Sequence, residues 1–507
     1  MGEQPLSRYD NLLWASPNIA SSNASMLSTI SLDLPDFTKY TDVALIFNYD
    51  EGTLGCPRTP KSTRDIMFST KSIQRLGENT YLMGYFDYRF RRLNEVEWHG
   101  LTLPESHAMS LTDSIPGPFS SEAFFVGMKV AHRINNHVVG LTLNYDIGSG
   151  AKTIDLRNTN HRAHFNLSPS WMMQQPWGYI GFDAGFHRTV EEVNYTQVVT
   201  EMPRQMFRLE GLWFVFSELW TSAYTRFIED MGYMANISLD MNLGGEMKLY
   251  NQFGIDYTQG SQYLRSVISN EQFGDQEMLR YIYRGTLKIN NRNQIRANFQ
   301  RGTKLAYRFL QRVEMDPRTT QQIRVTYGRT NHYSEVRSIA DLTFAHASLR
   351  NGNPLDQTWR AEIGAVYAQR TQMFRRFPYM FKQEVNTYEF FANFNKNIPL
   401  SGLTIDLKPE FSFASGHGIM NDRHDLHPDA ATLLAPQDDW QLQPQLKHEF
   451  DYLTASKIGA GLEAKIAYPL ERITPFLNVR ATYKRAMNTD LAEMSRMYIS
   501  LHLGLNF

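Results

Sequence analysis

A group of histidines and aspartates near the C-terminus is best suited to metal chemistry. It contains His417, Asp422, His424 and His427, in a stretch from 415 to 443 that we expect to be a loop. Imidazole and carboxylate groups bind divalent metals, so these side chains could gather around one ion. No tight ligand spacing is matched, and the stretch also contains turn-forming residues. The pattern predicts a loop-bound divalent metal or, alternatively, a solvated loop that contacts a partner.

A second set consists of charged side chains on the polar face of segments that alternate in polarity. If these segments surround a water-filled lumen, the charges have two possible roles. They would either set a transverse electric field that selects solutes, or pair with one another and hold inserted loops in place. The spacing does not separate these two roles. The residues are Arg89, Arg91, Arg284, Arg296, Arg324, Arg360, Arg480, Glu362, Glu410 and Glu463.

A third set is aromatic and lies in the stretch 371–383, which we also expect to be a loop. So many aromatic side chains are unusual for a solvated loop. We interpret the stretch as a partner-binding or lid loop, with packing against neighbouring loops as the alternative. The residues are Phe374, Phe377, Tyr379 and Phe381.

The sequence lacks the common catalytic motifs. It contains no Gly-x-Ser-x-Gly, His-Glu-x-x-His or Gly-x-x-x-x-Gly-Lys pattern. The single cysteine, Cys56, excludes an intramolecular disulfide, and 51 basic against 52 acidic residues leave no basic excess for nucleic acid. We therefore expect neither an enzyme nor a nucleic-acid-binding protein, and no cofactor other than the loop metal.

The segments that must position these residues alternate between apolar and polar side chains from about residue 42 to the end. In the last segment, the odd-numbered residues from 499 to 507 are apolar and the even-numbered ones from 500 to 506 are small or polar. This is the period of a β-strand. Apolar runs of roughly 18 residues, which a helical membrane protein needs, are missing. Mid-strand charges such as Lys408 and Glu463 favour a wet lumen. We predict an all-β fold, a transmembrane antiparallel β-barrel.

The spacing of turns predicts the size and orientation of this barrel. It gives 18 to 22 strands, with 22 as the best count, short periplasmic turns and long extracellular loops. Residues 41–507 would form the barrel. Residues 1–40 do not alternate and would form a segment in the lumen or across its periplasmic mouth, with a flexible tail as the alternative. Short turns are predicted at 134–137, 175–178, 243–246, 290–293, 315–317 and 470–473, and long connections at 92–122, 148–161, 217–232, 258–278, 371–383, 415–443 and 485–496.

Both ends of the chain resemble those of known barrels. Leu503-Gly504-Leu505-Asn506-Phe507 resembles the assembly signal of outer-membrane barrels, and Leu13-Trp14-Ala15-Ser16-Pro17-Asn18-Ile19-Ala20 is similar to the openings of a Bacteroidota family without assigned function. The resemblance implies a large barrel in the outer membrane. Because Met1-Gly2-Glu3-Gln4-Pro5 has no signal-peptide character, we expect the signal peptide to have been removed.

Two functions fit these features. The first is a transport channel or gated porin for small solutes. The second is a non-conducting accessory barrel in a larger outer-membrane uptake or assembly complex. Outer-membrane lipid and lipopolysaccharide would surround the barrel, and outer-membrane or lipoprotein subunits would be its protein partners.

Overall fold

The alternating segments form long strands in a computed structural model of the chain. The structure describes residues 9–507 apart from 156, 197, 199–203, 221–223, 266–269, 316–317, 319–321, 430–440, 488–490 and 492. The described strands are β1 Lys39–Gly52, β2 Ser62–Leu76, β3 Thr80–Val96, β4 Ser110–Thr112, β5 Gly117–Ile134, β6 His137–Lys152, β7 Arg157–Gln175, β8 Gly178–Thr196, β9 Arg204–Leu209, β10 Val215–Trp220, β11 Tyr224–Gly244, β12 Met247–Arg265, β13 Asn270–Lys288, β14 Asn293–Met315, β15 Gln322–Leu349, β16 Gln357–Arg376, β17 Tyr379–Leu400, β18 Leu403–Asp425, β19 Lys457–Ala467, β20 Thr474–Ala486 and β21 Ser495–Asn506.

Helices are short and lie outside the main sheet. No helix among the described residues is long and apolar enough to cross a membrane. The α-helices are α1 Tyr9–Ala15, α2 Ile30–Asp33 and α3 Gln443–Thr454, and the 3-10 helices are Pro17–Ala20, Ala24–Thr29 and Arg350–Gly352.

All described strands except β4, β9 and β10 form one closed sheet of eighteen strands. Each strand pairs antiparallel with the next barrel strand along the chain. β1 pairs with β2 on one side and with β21 on the other, where Val43 faces Leu505. The ring therefore has no free edge, and its backbone hydrogen bonds are satisfied within the sheet. The barrel prediction is confirmed, but the best count of 22 strands is wrong.

The outer face of the ring is apolar and the inner face is polar. Outward side chains such as Phe253, Phe390 and Phe411 are exposed, the last by 63%. Similar side chains occur around the ring, from Phe47 on β1 to Leu505 on β21. A soluble protein rarely exposes so large an apolar surface, whereas a barrel in lipid requires it. The outer face is therefore the lipid-facing surface.

The two ends of the barrel differ. One end, here called the turn end, carries the two chain ends of the ring and tight turns, and the other is called the loop end. Asn135 adopts φ 55° in one tight turn, and Gly244 and Gly245 adopt φ 105° and 60° in another. Such left-handed conformations favour Asn and Gly, which is why these residues mark hairpins. The predicted turns at 134–137, 175–178, 243–246, 290–293 and 470–473 all lie at the turn end.

Several other connections were predicted wrongly. The predicted turn at 315–317 falls largely on residues outside the described ones, and its flanking strands β14 and β15 meet at the loop end. Much of the predicted loops 258–278, 371–383 and 415–443 is strand, because β12, β13, β16, β17 and β18 run further than expected. Strands that continue past the lipid need no apolar outer face, so their alternation weakens and they resemble loops.

The lipid-facing assignment makes a stability prediction. Leu503 is 46% exposed on the outer face, whereas Thr482 lies on the inner face. Leu503→Arg should cost about 2–4 kcal/mol near the bilayer midplane and reduce folding into lipid vesicles. Thr482→Arg is the matched control and should fold normally, as measured by urea titration of tryptophan fluorescence. Equal stability of the two variants would contradict the assignment.

Candidate functional site

Residues 9–33, here called the N-terminal plug, fill the turn end of the lumen. Leu12, Met26 and Ile30 of this plug are fully buried. They share one hydrophobic cluster with inner-face side chains, so the plug is packed against the wall rather than suspended in water. The wall residues of this cluster, most of them close to the turn end, are Tyr40, Ile73, Tyr81, Met83, Ala131, Val138, Met172 and Tyr179.

Inward-facing lysines bind the backbone of the N-terminal plug. The Nζ atom of Lys129 donates to the carbonyl oxygens of Ser21 at 2.6 Å and Ile19 at 3.4 Å. Lys288 Nζ donates to the carbonyl oxygen of Ala15 at 3.1 Å. The ends of short helices leave backbone carbonyl groups without hydrogen-bond partners, and these lysines donate hydrogen bonds to them.

Carboxylates complete the attachment of the N-terminal plug. Asp33, almost fully buried, pairs with Lys248 at 2.8 Å and accepts a hydrogen bond from Tyr250 at 3.2 Å. On the wall, Asp240 accepts the side-chain amide of Asn18 at 2.8 Å. The polar inner wall thus has complementary groups for this segment.

The loop end is filled by a second insertion, here called the loop-end plug, formed by residues 97–116, 204–220 and α3. β4, β9 and β10 form a three-stranded sheet there. Trp98, Trp213 and Phe214 pack in one cluster with inner-face side chains of the barrel strands near the loop end. Phe214 stacks on Phe374, with ring centroids 3.9 Å apart. The barrel is therefore filled from both ends by its own chain.

The predicted aromatic loop is in fact a strand hairpin whose inner side receives the loop-end plug. Phe374 lies on β16, and Tyr379 and Phe381 lie on β17, all three buried in that cluster. Only Phe377 occupies a turn, where it is 69% exposed. The loop assignment is wrong, because these strands continue beyond the lipid. A partner-binding role stays a prediction for Phe377.

Buried polar contacts hold the loop-end plug. The Glu449 carboxylate of α3 accepts hydrogen bonds from Arg370 at 2.6 Å and from the indole of Trp213. Burial alone would raise the pKa of Glu449, but the charge of Arg370 and the two hydrogen bonds outweigh it and lower the pKa. The resulting stabilisation is fully present at pH values above the ordinary pKa of glutamate. It is lost as the pH falls through the lowered pKa of Glu449. Lys152 pairs similarly with Asp113 at 2.5 Å.

The two plugs leave part of the lumen unfilled. Cavity 1, of about 380 Å³, lies between the N-terminal plug and inner-face residues of β12, β13, β14, β16 and β18. Cavity 2, of about 360 Å³, lies along β16 to β20, and Lys408 lines both. Asp183 and Asp240, which contact the plug, are 4% and 5% exposed, whereas the side chains of Arg480 and Lys484 in cavity 2 are 42% and 54% exposed. The wall of cavity 2 is therefore more accessible to water than the wall that contacts the N-terminal plug.

Four of the predicted charges surround cavity 1. Glu362 accepts a hydrogen bond from Arg296 at 2.8 Å, and the Nε atom of Arg360 lies 3.3 Å from the same carboxylate oxygen. Arg284 also lines the cavity, and its guanidinium makes no ion pair or hydrogen bond with the described part of the chain.

Three more predicted charges lie in or beside cavity 2. Glu410 pairs with Arg480 at 2.6 Å and with Lys408 at 2.9 Å. Glu463 lies 3.8 Å from Lys408 and accepts a hydrogen bond from Asn478 at 3.0 Å. The structure thus brings together charges from strands far apart in the sequence.

The remaining predicted charges lie elsewhere. Arg89 donates to Asp65 at 2.8 Å, and neither Arg89 nor Arg91 lines either cavity. The side chain of Arg324 lies outside the described residues.

The predicted metal residues are spread along β18 and past its end. His417 stacks on Tyr388 with ring centroids 5.8 Å apart, and His424 Nε2 lies 2.9 Å from Asp422. His427 packs edge-on against Phe377. Over the described ranges, no group of three or more His, Cys, Asp or Glu side chains could hold a metal ion. The assignment of residues 415–425 to a loop is wrong, since β18 continues to Asp425.

Sequence reasoning missed the attachment of the N-terminal plug. Lys129 could have been found, because it is a charge at an inward position of β5. Asp33 and Lys248 gave no signal, since their contact joins residues 215 positions apart. Only the three-dimensional path of the N-terminal segment reveals that pair.

A closed ring of antiparallel strands with a lipid-facing apolar belt and a polar lumen defines a multi-pass β-barrel protein of the outer membrane. The chain belongs to a family of unknown function (DUF6850), whose model matches residues 30–507. No curated protein matches the sequence.

Several solved structures resemble the chain distantly. The ferric yersiniabactin uptake receptor FyuA from Yersinia pestis has a TM-score of 0.40 at 9% identity, covering 94% of this chain and 76% of its own. The RagAB peptide importer in the closed-closed state has a TM-score of 0.39 at 7% identity, and the match covers 92% of this chain and 87% of the importer chain. The copper transporter OprC has a TM-score of 0.38 at 7% identity, covering 92% and 80%. At these scores the likeness carries no functional information.

The Asp33–Lys248 pair predicts how the N-terminal plug is held. Lys248→Met should leave a buried carboxylate without its ion-pair partner, which costs up to about 3 kcal/mol for a partly exposed lysine. Hydrogen exchange of residues 9–33 should become faster. Adding Asp33→Asn should restore part of the protection, whereas Lys39→Met, which removes an exposed lysine, should change nothing. Unchanged exchange in Lys248→Met would show that the pair does not hold the plug.

Proposed function

We propose that this protein is a gated transport channel for small solutes in the outer membrane. The observation that carries the proposal is the unfilled, charged side of the lumen, where Arg480 and Lys484 are exposed to water inside the barrel. Segments of the same chain occupy both ends of the lumen beside this space. A segment that lies inside the lumen and contributes no strand to the ring can be displaced without breaking the barrel, which is the requirement for a gate.

The position and contacts of the N-terminal plug support gating at the turn end. It contributes no strand to the ring, and it is bound through the apolar cluster at the turn end and through polar contacts such as Lys129 to Ser21 and Lys288 to Ala15. The loop-end plug is held by a large aromatic cluster that includes Trp98, Trp213 and Phe214. The short turns of outer-membrane barrels lie on the periplasmic side of the membrane, so we expect the turn end to face the periplasm. The resemblance of residues 13–20 supports a Bacteroidota origin.

A second candidate function is a non-conducting accessory barrel. The presence of a plug at each end of the lumen favours it, because a subunit that only docks with partners has no need of a path for solutes. Exposed apolar side chains at the loop end, Phe377 at 69% and Leu426 at 47%, would then contact an outer-membrane or lipoprotein partner.

Conductance in planar lipid bilayers tests the two functions. We expect the full chain to give discrete single-channel openings. The variant Lys129→Ala/Lys288→Ala, which loses two contacts to the N-terminal plug, should open more often or more widely. The matched control Lys39→Ala/Lys396→Ala removes two exposed lysines outside the lumen and should behave as the wild type. If both the wild type and the release variant are silent, and the protein copurifies with partner subunits, the channel proposal fails.

A further inference from the structure

Cavity 1 carries more positive than negative charge. Its lining contains four cationic side chains, Arg284, Arg296, Arg360 and Lys408, and two acidic ones, Asp10 and Glu362. Walls of low dielectric constant focus such a field into the cavity. The cavity therefore attracts anions in preference to cations.

The ion pairs within cavity 1 leave the excess positive charge at its arginines. Glu362 serves both Arg296 and Arg360, so one carboxylate faces two guanidinium groups. Lys408 pairs with Glu410, which lines cavity 2, and with Glu463 beside that cavity. The uncompensated charge is therefore at Arg284 and around Arg296 and Arg360.

Arg284 stands in a row of hydrogen-bond donors across the sheet. The strand register places Gln252 of β12 on one side of it and Asn298 of β14 on the other. Asp341 on β15 continues the row, but its carboxylate accepts the Asn298 amide at 2.9 and 3.0 Å. The guanidinium of Arg284 keeps its donors free among the described residues.

The next row toward the turn end is also rich in donors. It aligns Tyr250, Thr286 and Arg296, and all three line cavity 1. Neighbouring side chains in such rows lie roughly 5 Å apart at their Cβ atoms, which allows one small ligand to contact several of them. A planar guanidinium that lacks an acidic partner fits a carboxylate or a phosphate in two-point contact.

We propose that cavity 1 binds a small organic anion through Arg284, with the carboxylate or phosphate of the ligand held by its free donors. The inference rests on the proposed transport function and names the class of solute that the channel would select. A volume of about 380 Å³ lies at the small end of ligand sites and suits a metabolite rather than a peptide or polymer. Trp14 of the N-terminal plug forms part of the same wall, so the ligand would contact both the barrel and its gate.

Isothermal titration of the full chain in detergent at low ionic strength tests this site. Succinate and inorganic phosphate are the anionic probes, and choline and glucose are the cationic and neutral controls. We expect the wild type to bind at least one anion with a dissociation constant below about 10 mM and neither control. Succinate alone would indicate a carboxylate ligand, and phosphate alone a phosphorylated one; either result supports the proposal.

Variants assign the binding to Arg284. Arg284→Gln should weaken it about tenfold or more, since a charge-assisted contact is lost. Arg292→Gln removes an exposed arginine in a turn outside the cavity and should bind as the wild type. Circular dichroism confirms that both variants fold. Absence of anion binding to the wild type, equal binding by Arg284→Gln, or equal binding of choline would overturn the proposal.

This experiment is independent of conductance. Discrete openings without anion binding would support the channel proposal and contradict the anion site. Anion binding at Arg284 without openings would support the anion site and contradict the channel proposal.

Discussion

The whole structure depends on one constraint, that no backbone hydrogen-bonding group can be left unpaired in lipid. The chain meets it by pairing β1 with β21, so that the first and last strands of the barrel become neighbours. Closure gives every strand an outer and an inner face. Apolar side chains such as Leu503 must then point outward, and the charges that alternate with them must point into the lumen. The polar lumen is thus a direct consequence of the ring.

A ring of eighteen strands is too wide for its own inner side chains to fill. The chain fills it with two insertions of different chemistry. At the turn end, lysines and carboxylates of the wall hold residues 9–33 through polar contacts, with an apolar cluster beneath them. At the loop end, an aromatic cluster around Phe214 holds the inserted sheet. Neither insertion covers the inner face of β13 to β20 completely, and the exposed charges there form the cavities on which the proposed function depends.

The fold was largely predictable from the sequence because alternation reports directly on which face meets lipid. Both the lipid face of β21 and the inward position of Arg480 followed from residue parity. Strand number was not predictable, since β14 and β15 run well past the lipid and their outer ends lose the apolar face that marks a strand. The charges of the candidate site were found individually, but their grouping was not. Contacts such as Arg480 with Glu410, on strands β20 and β18, depend on the register of the closed sheet.

The inner wall that contacts the N-terminal plug is packed, whereas the inner wall along cavity 2 is open to water. Cysteine accessibility tests it directly with a small charged thiol reagent. Thr142 is 5% exposed and bound to the N-terminal plug through the carbonyl oxygen of Ser22, whereas Thr482 lines cavity 2. Burial raises the pKa of the native Cys56 thiol, and both variants also carry Cys56→Ser so that only the introduced cysteine can react. We predict that Thr482→Cys is modified rapidly and Thr142→Cys slowly; equal rates at the two positions would contradict a half-filled lumen.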